Sequence, residues 1–384
     1  MTAPGGTLVA SDQDECDRDR VLPEMAWATP LNSKSAVDAA GATLVDDSLT
    51  EILSGDPSFG NRQTLEAWDK YDHALQVVNN WRSSHNFPLN TFQCTLRRKA
   101  RQVDPRSLIA QRIKRISSIE LKLRRFPSMK LAQMQDIGGC RAVVRSIRHV
   151  DGLVQRYEQS DLKHALDHKD DYIRHPRSSG YRGVHLIYRY NSDKKETWNG
   201  LKLEMQFRSP LQHAWATAVE TVGTFIQQAL KSSQGEEEWL RFFALMGGAL
   251  ALRERTAPVP GTPTQKTALV RELRQYARSL DVERRLRTYG EAIQTTEQPG
   301  VQNAHYYILA LDPGAQRVTV RGYPYKELER ASNEYLVVEK EIKSIPGAEA
   351  VLVSVESLAS LRRAYPNYFL DTRVFIDAVK RAIG

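Results

Sequence analysis

Three stretches of this 384-residue chain bring together side chains that could do chemistry. In the first, Lys114, Ser118 and Lys122 follow Arg112 at four-residue spacing, so on a helix two ammonium groups and a hydroxyl share a face. Several donors at once suit a polyphosphate, although a charged helix stripe is more commonly just solvated. In the second, Asp136 leads through Gly138 and Gly139 to Arg141, and paired glycines beside a carboxylate let a ligand or another backbone come close. The third, from Asp171 to His185, is dense in Arg, Gly and Tyr, the composition of a loop that holds phosphates and stacks a base. Glu204 adds a second carboxylate. Two carboxylates and a polyphosphate-binding face are what Mg²⁺-assisted phosphoryl or pyrophosphoryl transfer requires, because the metal needs hard oxygens and the transition state needs cations around the moving oxygens. No Walker A sequence is present, which excludes a P-loop kinase.

These residues must be positioned by a mixture of helices and strands. Trp68, Tyr71, Leu75, Val78 and Trp81 predict one face of an amphipathic helix that ends near Pro88. Further helices are expected over Thr91 to Arg101 and over Pro105 to Arg125, the latter carrying the first cationic stretch. Cys140 to Ile147, Val184 to Tyr190 and Leu201 to Arg208 read as strands, and His149 to Tyr157 as a helix. The last strand is the clearest: Leu203, Met205 and Phe207 fall on one face, with Lys202, Glu204, Gln206 and Arg208 on the other. Helices follow over Leu211 to Leu230 and Glu236 to Arg255, then a Pro/Gly/Thr-rich break and a long charged helix over Gln265 to Thr295. Beyond Pro299 the order is ββαβαα, with a hairpin around Asp312, Pro313 and Gly314, which suggests a separate small α/β module. The expected organisation is a loosely ordered acidic arm (1–60), a catalytic domain (61–256), a linker and long helix (257–299) and the C-terminal module (300–384).

Taken in order, Arg112, Lys114, Ser118, Ile119 and Lys122, then Asp136 and Arg141, then Asp171, Tyr172, Ile173, Pro176, Arg177, Gly180, Tyr181 and His185, then Glu204, Gln206 and Arg208, and finally Trp215, Ala216 and Thr217, resemble the synthetase domain of the RelA/SpoT family. The resemblance covers about residues 65 to 255. It implies an α/β (α+β) fold, a nucleotidyltransferase-like mixed β-sheet flanked by helices, that moves the β,γ-pyrophosphate of ATP to a ribose 3′-hydroxyl. Asp136 is then expected to bind Mg²⁺, and Glu204 to bind it too or to activate the hydroxyl. Arg112 is expected on the adenine, and Lys114, Ser118, Lys122, Arg141 and Arg177 on the ATP side. Tyr181 would stack on the acceptor base and His185 would sit beside the acceptor, with Gln206 and Arg208 continuing that polar strand face. Two positions depart from the family pattern: Asp170 stands where a Lys usually precedes Asp-Tyr-Ile, with Lys169 one position earlier as the substitute phosphate ligand, and Arg177 replaces a Lys. No His-Asp dipeptide occurs, so the family's hydrolase activity is not expected.

The stretch from Trp81 to Asn90, followed by Leu96 to Lys99, together with the C-terminal module, is similar to the toxic, fused small alarmone synthetases of toxin–antitoxin and phage-defence systems, the CapRel type. There the acceptor can be the 3′ end of tRNA instead of GDP or GTP. The module, which follows a linker and carries no apparent catalytic set, is expected to regulate the enzyme or to serve as a plain oligomerisation or packing domain. The alternative, a catalytically silent RNA-binding protein that keeps the fold, gives no reason to keep Asp136 and Glu204 facing phosphates.

Charge and composition agree with a nucleotide or RNA partner. Of the net charge of +8, the segment from Arg97 to Arg156 holds sixteen Lys/Arg against four Asp/Glu, so the remainder is net acidic. The first sixty residues carry eleven acids and three bases. Cys16, Cys94 and Cys140 are too few and scattered for a disulfide framework, and a reducing, cytoplasmic compartment is expected. The longest apolar run, Phe242 to Leu252, spans eleven residues, about half a membrane crossing, and predicts a buried helix with no membrane partner.

Overall fold

A computed structural model describes residues 27–54, 62–229, 236–298 and 301–384. Four helices come first: α1 (Lys34–Leu44), α2 (Asp47–Ser54), α3 (Arg62–Ser84) and α4 (Asn86–Val103). Ser33 caps α1 by accepting from the Ala36 amide at 3.2 Å, and Val37 and Leu44 then enter the core. Composition alone suggested less order here than the helices show. Pro88 does not end a helix. It lies in the first turn of α4, where its missing N–H has no intrahelical partner to lose.

Next come β1 (Leu108–Ile113), α5 (Ile116–Arg125), β2 (Gly138–Val143), α6 (Ile147–Glu158), β3 (Ala165–Asp171), β4 (Val184–Arg189) and β5 (Lys202–Arg208). The helix expected over Pro105 to Arg125 is therefore a strand followed by a shorter helix. Leu108 to Ile113 pairs with β2 across six residues and buries Ile109, Ala110 and Ile113, a tertiary gain that local periodicity does not report. β3 was not foreseen, because Asp167, Lys169, Asp170 and Asp171 give an edge strand little apolar alternation.

A helical layer follows, α7 (Pro210–Ala229), α8 (Glu236–Glu254), α9 (Lys266–Ser279) and α10 (Val282–Ala292). The long charged helix expected over Gln265 to Thr295 breaks at Asp281, whose φ of 46° is left-handed, and ends in a strand. The C-terminal elements are β6 (Gln294–Glu297), β7 (Tyr306–Asp312), β8 (Arg317–Tyr323), α11 (Leu328–Ile342), β9 (Glu349–Ser354), α12 (Leu358–Ala364) and α13 (Arg373–Ile383), so the ββαβαα order holds beyond residue 300.

Among the described residues nine strands make one mixed sheet in the order β3-β4-β5-β2-β1-β9-β7-β8-β6. This is the mixed, helix-flanked α/β class expected. β2 runs parallel to β5 and β6 to β8, while the other pairs are antiparallel. One face of the β2–β5 half packs Cys140, Ala142, Leu203, Met205 and Phe207 against Val78, Trp81 and Leu96 of α3 and α4 and Leu153 of α6. The opposite face is left for polar side chains. The two halves join through β1 and β9 by only two residue pairs, Gln111 with Ser354 and Arg112 with Val353.

Candidate active site

Register decides which side chains share the free face. Arg112 lies opposite Gly139, Gly139 beside Glu204, Arg141 beside Gln206, Gln206 opposite His185, and His185 opposite Asp170. Directly paired residues point the same way, and so do residues two apart on one strand. Arg112, Arg141, Glu204, Gln206, Arg208, His185 and Asp170 therefore project from one face of five adjacent strands.

Asp136 stands just before β2, at the end of this face nearest α5. Its two oxygens accept from Lys114 Nζ at 2.7 Å and Lys122 Nζ at 2.9 Å. Burial works against ionisation, but the two ammonium groups outweigh it and hold the Asp136 carboxyl well below the usual carboxylate range. Lys114 precedes α5, so it reaches Asp136 from the strand end and not from a helix stripe. Ser118 turns aside and accepts from Arg115 Nε at 3.3 Å.

The end of the face nearest α8 is built on a glycine turn. Gly180 has a φ of 93°, and a Cβ there would lie 2.7 Å from the Phe243 carbonyl oxygen, while one on Gly247 would lie 2.6 Å from Gly180 Cα. The turn thus sits directly against α8. Arg182 ties it to the C-terminal end of the same helix: this guanidinium, 2 % exposed, donates to Glu254 at 2.7 Å and to Thr256 at 3.1 Å. Trp215 Nε1 donates to the Phe243 carbonyl at 2.9 Å and completes the support. The buried Arg182–Glu254 pair was not foreseen from sequence, since nothing local marks Arg182 as inward-facing.

Tyr181, so held, enters a closed ring of hydrogen bonds. Its hydroxyl faces His185 Nε2; His185 Nδ1 donates to Glu204 Oε1 at 2.8 Å; Gln206 Nε2 donates to Glu204 Oε2 at 2.6 Å; and Arg208 Nη2 donates to Gln206 Oε1 at 2.9 Å and to the Tyr181 hydroxyl at 3.0 Å. Burial opposes charge on His185, but Tyr181 and Glu204 prevail and raise its pKa to about 9. Burial and Asp136 push Glu204 up, yet the His185 contact lowers it overall. Tyr172, whose ring lies under the Arg177 guanidinium at 4.4 Å, packs edge-on against both Tyr181 and His185.

Two expected ligands lie elsewhere. Lys169 points to the opposite face from Asp170 and donates to Glu158 Oε1 at 2.5 Å, so the strand brings a carboxylate and not an ammonium to the site. Arg177 stays at the exposed rim on Tyr172. Asp136 and Glu204 fit Mg²⁺, which takes one or two carboxylates and fills its shell with water and phosphate oxygens. Among the described residues no group of three or more His, Cys, Asp or Glu gathers as a metal cage.

The C-terminal half reaches over the β1–β2 side of this face. Arg141 lies 5.1 Å from the Tyr365 ring centre and donates to the Ala364 carbonyl, while Tyr365 donates to the Gln111 carbonyl at 2.8 Å. Arg115 donates to the Tyr368 hydroxyl at 3.2 Å, and His213 Nε2 meets the Arg363 carbonyl at 3.1 Å.

Residues 111–223, which include the polar side chains of this sheet face, match the family described as the region found in RelA / SpoT proteins. Over 115 residues the chain is 28% identical to the GTP pyrophosphokinase YjbM of Bacillus subtilis (strain 168), a match that takes in 29% of this chain and 54% of that protein. The chain thus spans about half the length of the curated relative it matches. Similar solved structures include a GTP pyrophosphokinase family protein from Streptococcus pneumoniae (22% identity, TM-score 0.36, covering 43% of this chain and 85% of that one). Another is small alarmone synthetase 1 from Bacillus subtilis bound to its product pppGpp (19% identity, TM-score 0.37, covering 44% and 91%). The sheet face that gathers Asp136, Glu204 and their cationic partners lies within the residues that match the region found in RelA / SpoT proteins, and that region is similar to a small GTP pyrophosphokinase.

Proposed function

We propose that the protein is an ATP-dependent pyrophosphokinase. The observation that carries this reading is the placement of Asp136 and Glu204, with Lys114, Lys122, Arg112 and Arg141, on one sheet face inside the RelA/SpoT region. A ribose 3′-oxygen bonds to the β-phosphorus of ATP, the bond from that phosphorus to the α,β-bridging oxygen breaks, and AMP leaves. The hydroxyl proton passes to the Glu204 carboxylate. Paired with a charged His185, Glu204 is a weak base, which suffices where the transition state is loose and the attacking oxygen bears little charge. Mg²⁺ held by Asp136 and Glu204 would neutralise the phosphate oxygens. Lys114 and Lys122 stand ready to exchange Asp136 for those oxygens, Arg112 and Arg141 to embrace the nucleotide, and Tyr181 to stack on the acceptor base.

The acceptor is GDP or GTP, giving a (p)ppGpp-type alarmone, or the 3′ end of tRNA, giving a growth-inhibiting enzyme of the CapRel type. A cytoplasmic site of action follows from either substrate, and among the described residues no helix is long and apolar enough to cross a membrane. The fused C-terminal half is the regulator in this reading: Tyr365, on Arg141, and Tyr368, on Arg115, compete with the nucleotide. Incubating the protein with γ-labelled ATP and Mg²⁺, offering GDP, GTP and bulk tRNA separately, tests the proposal, with Asp136→Asn and Glu204→Gln as controls. Labelled product that vanishes in both variants supports it, and the labelled acceptor settles the subgroup. No label in any acceptor rejects it. Tyr365→Ala is expected to raise turnover at low ATP; unchanged turnover would reject the regulatory role.

A further inference from the structure

We propose that Arg208 is a positioning residue that ties the ring of Tyr181 to the carboxylate of Glu204, so that base stacking and hydroxyl activation are held in one geometry. The inference rests on the pyrophosphokinase reading, and it changes the part expected of Arg208 from binding the acceptor to arranging the groups that do.

Four observations converge. Arg208 is buried at the end of β5, and one nitrogen, Nη2, reaches both the Tyr181 hydroxyl at 3.0 Å and Gln206 Oε1 at 2.9 Å. Through Gln206 and His185 both oxygens of Glu204 are then fixed, one from each side of the ring. A carboxylate held at both oxygens keeps a single rotamer. Second, the Arg208 guanidinium also sits 5.3 Å from the Tyr181 ring centre, which adds a cation–π contact to the hydroxyl bond and fixes the plane of the tyrosine. Third, the backbone at Gly183 lies against both groups: a Cβ there would meet Arg208 Cγ and the Tyr181 hydroxyl, each at 3.4 Å. Among the described residues Arg208 Nε and Nη1 are also buried with no hydrogen-bond partner. An arginine retained for packing alone would be expected to satisfy those donors, since orphaned buried donors cost stability.

Lysine cannot substitute, because one ammonium on a flexible stem does not reproduce a planar group that stacks and donates together. The full chain with Arg208→Lys and Arg208→Met tests this. With whichever acceptor the wild type uses, kcat/KM for that acceptor is expected to fall about 10²-fold in both, the scale of a misplaced reacting group, while KM for ATP stays within about twofold. A second readout is independent of turnover. Burial raises the Tyr181 phenol, but Arg208 and His185 outweigh it and bring the phenol below its ordinary value. Ultraviolet phenolate titration, with Tyr181→Phe to assign the signal, is expected to show this phenol titrating later in Arg208→Met. Wild-type acceptor kinetics, a loss shared equally by ATP, or an unmoved phenol overturns the inference. If the wild type transfers to no acceptor, the pyrophosphokinase reading fails, and the phenol titration still decides whether Arg208 holds Tyr181.

Discussion

Breaking the ion pair between Arg82 and Glu339 should loosen the seam between the catalytic half and the C-terminal half more than any other single change there. Arg82 on α3 is 2 % exposed, and every nitrogen has a partner: Nε donates to the Lys114 carbonyl at 2.8 Å, Nη1 to Asn79 at 2.8 Å and Glu339 at 2.9 Å, and Nη2 to Tyr335 at 3.0 Å and Glu339 at 3.2 Å. Glu339 on α11 also accepts from the Ile116 amide at 2.9 Å and from Tyr335 at 2.8 Å. Removing one partner leaves the other charge uncompensated in a low-dielectric site, at a cost of about 3–5 kcal/mol. That shifts local opening by about two to four decades. The backbone amides bonded between β1 and β9, at the Gln111–Ser354 and Arg112–Val353 pairs, report it, because they open only when the seam does. Native-state hydrogen exchange is expected to show them losing protection by that factor in Glu339→Ala and in Arg82→Met. In Arg82→Met with Glu339→Leu the loss is expected to be much smaller than the sum, since no charge is then stranded. Additive losses, or a loss below about 1 kcal/mol in either single variant, would refute the reasoning.

Three further outcomes are expected. His185 has its pKa raised from 6.5 to about 9, so its charged form stabilises the fold fully below pH 6.5 and progressively less up to about pH 9. Glu204, lowered below 4.5, contributes above that pH and loses its contribution as acid protonates it. Denaturant unfolding of wild type against His185→Asn should show a difference that narrows between pH 6.5 and about 9, and a constant difference would contradict the pair. Replacing Lys122 with Met removes one of the two charge-assisted contacts on Asp136. The Asp136 carboxyl should titrate higher by NMR, and KM for ATP should rise about 10- to 100-fold, the range of a lost bond to a charged group. Gly247→Ala would place a methyl 2.6 Å from Gly180 Cα, and the resulting overpacking should cost about 1–3 kcal/mol and raise KM for the acceptor but not for ATP.

How much of this was legible depends on where each signal resides. β5 was readable to within a residue because its alternation is strict: Leu203, Met205 and Phe207 are fully buried, and Glu204, Gln206 and Arg208 line the opposite face. α6 was readable because Val150, Leu153, Val154 and Tyr157 recur at helical spacing. β1 was not. Its Ile109 and Ile113 are also four apart, which fits a helix equally well, and only pairing with β2 and β9 decides the matter. The same holds within the site. Asp136, Glu204, Tyr181 and His185 could be named from motif order, yet Lys169 could not be told from Asp170, since a one-residue step along a strand exchanges the faces and β3 carries no apolar alternation to set the phase.

The basic surplus between Arg97 and Arg156 shows what this difference means for function. Read along the chain it is one block that could serve a single polyphosphate. In the fold it divides. Arg112, Lys114, Lys122 and Arg141 stand on or beside the free sheet face, and Arg115 beside them is taken up by Tyr368 and Glu349. Arg97, Arg98, Lys99 and Arg101 belong to α4, and Arg148 and Arg156 to α6, both packed on the other side of the sheet. Part of that second group is neutralised locally, Arg97 and Arg101 by Glu356 and Arg145 by buried Asp104. The nucleotide binding proposed above therefore involves only the cations that face Asp136 and leaves the others unexplained by it. An ATP analogue should be indifferent to Arg148→Ser and Arg156→Ser, two exposed cations on α6, whereas a long anionic acceptor that follows the surface should lose affinity and salt dependence together, by about one counterion per lost phosphate contact. Measuring acceptor KM against salt in those variants separates a free guanosine nucleotide, for which the slope does not change, from an RNA, for which it must.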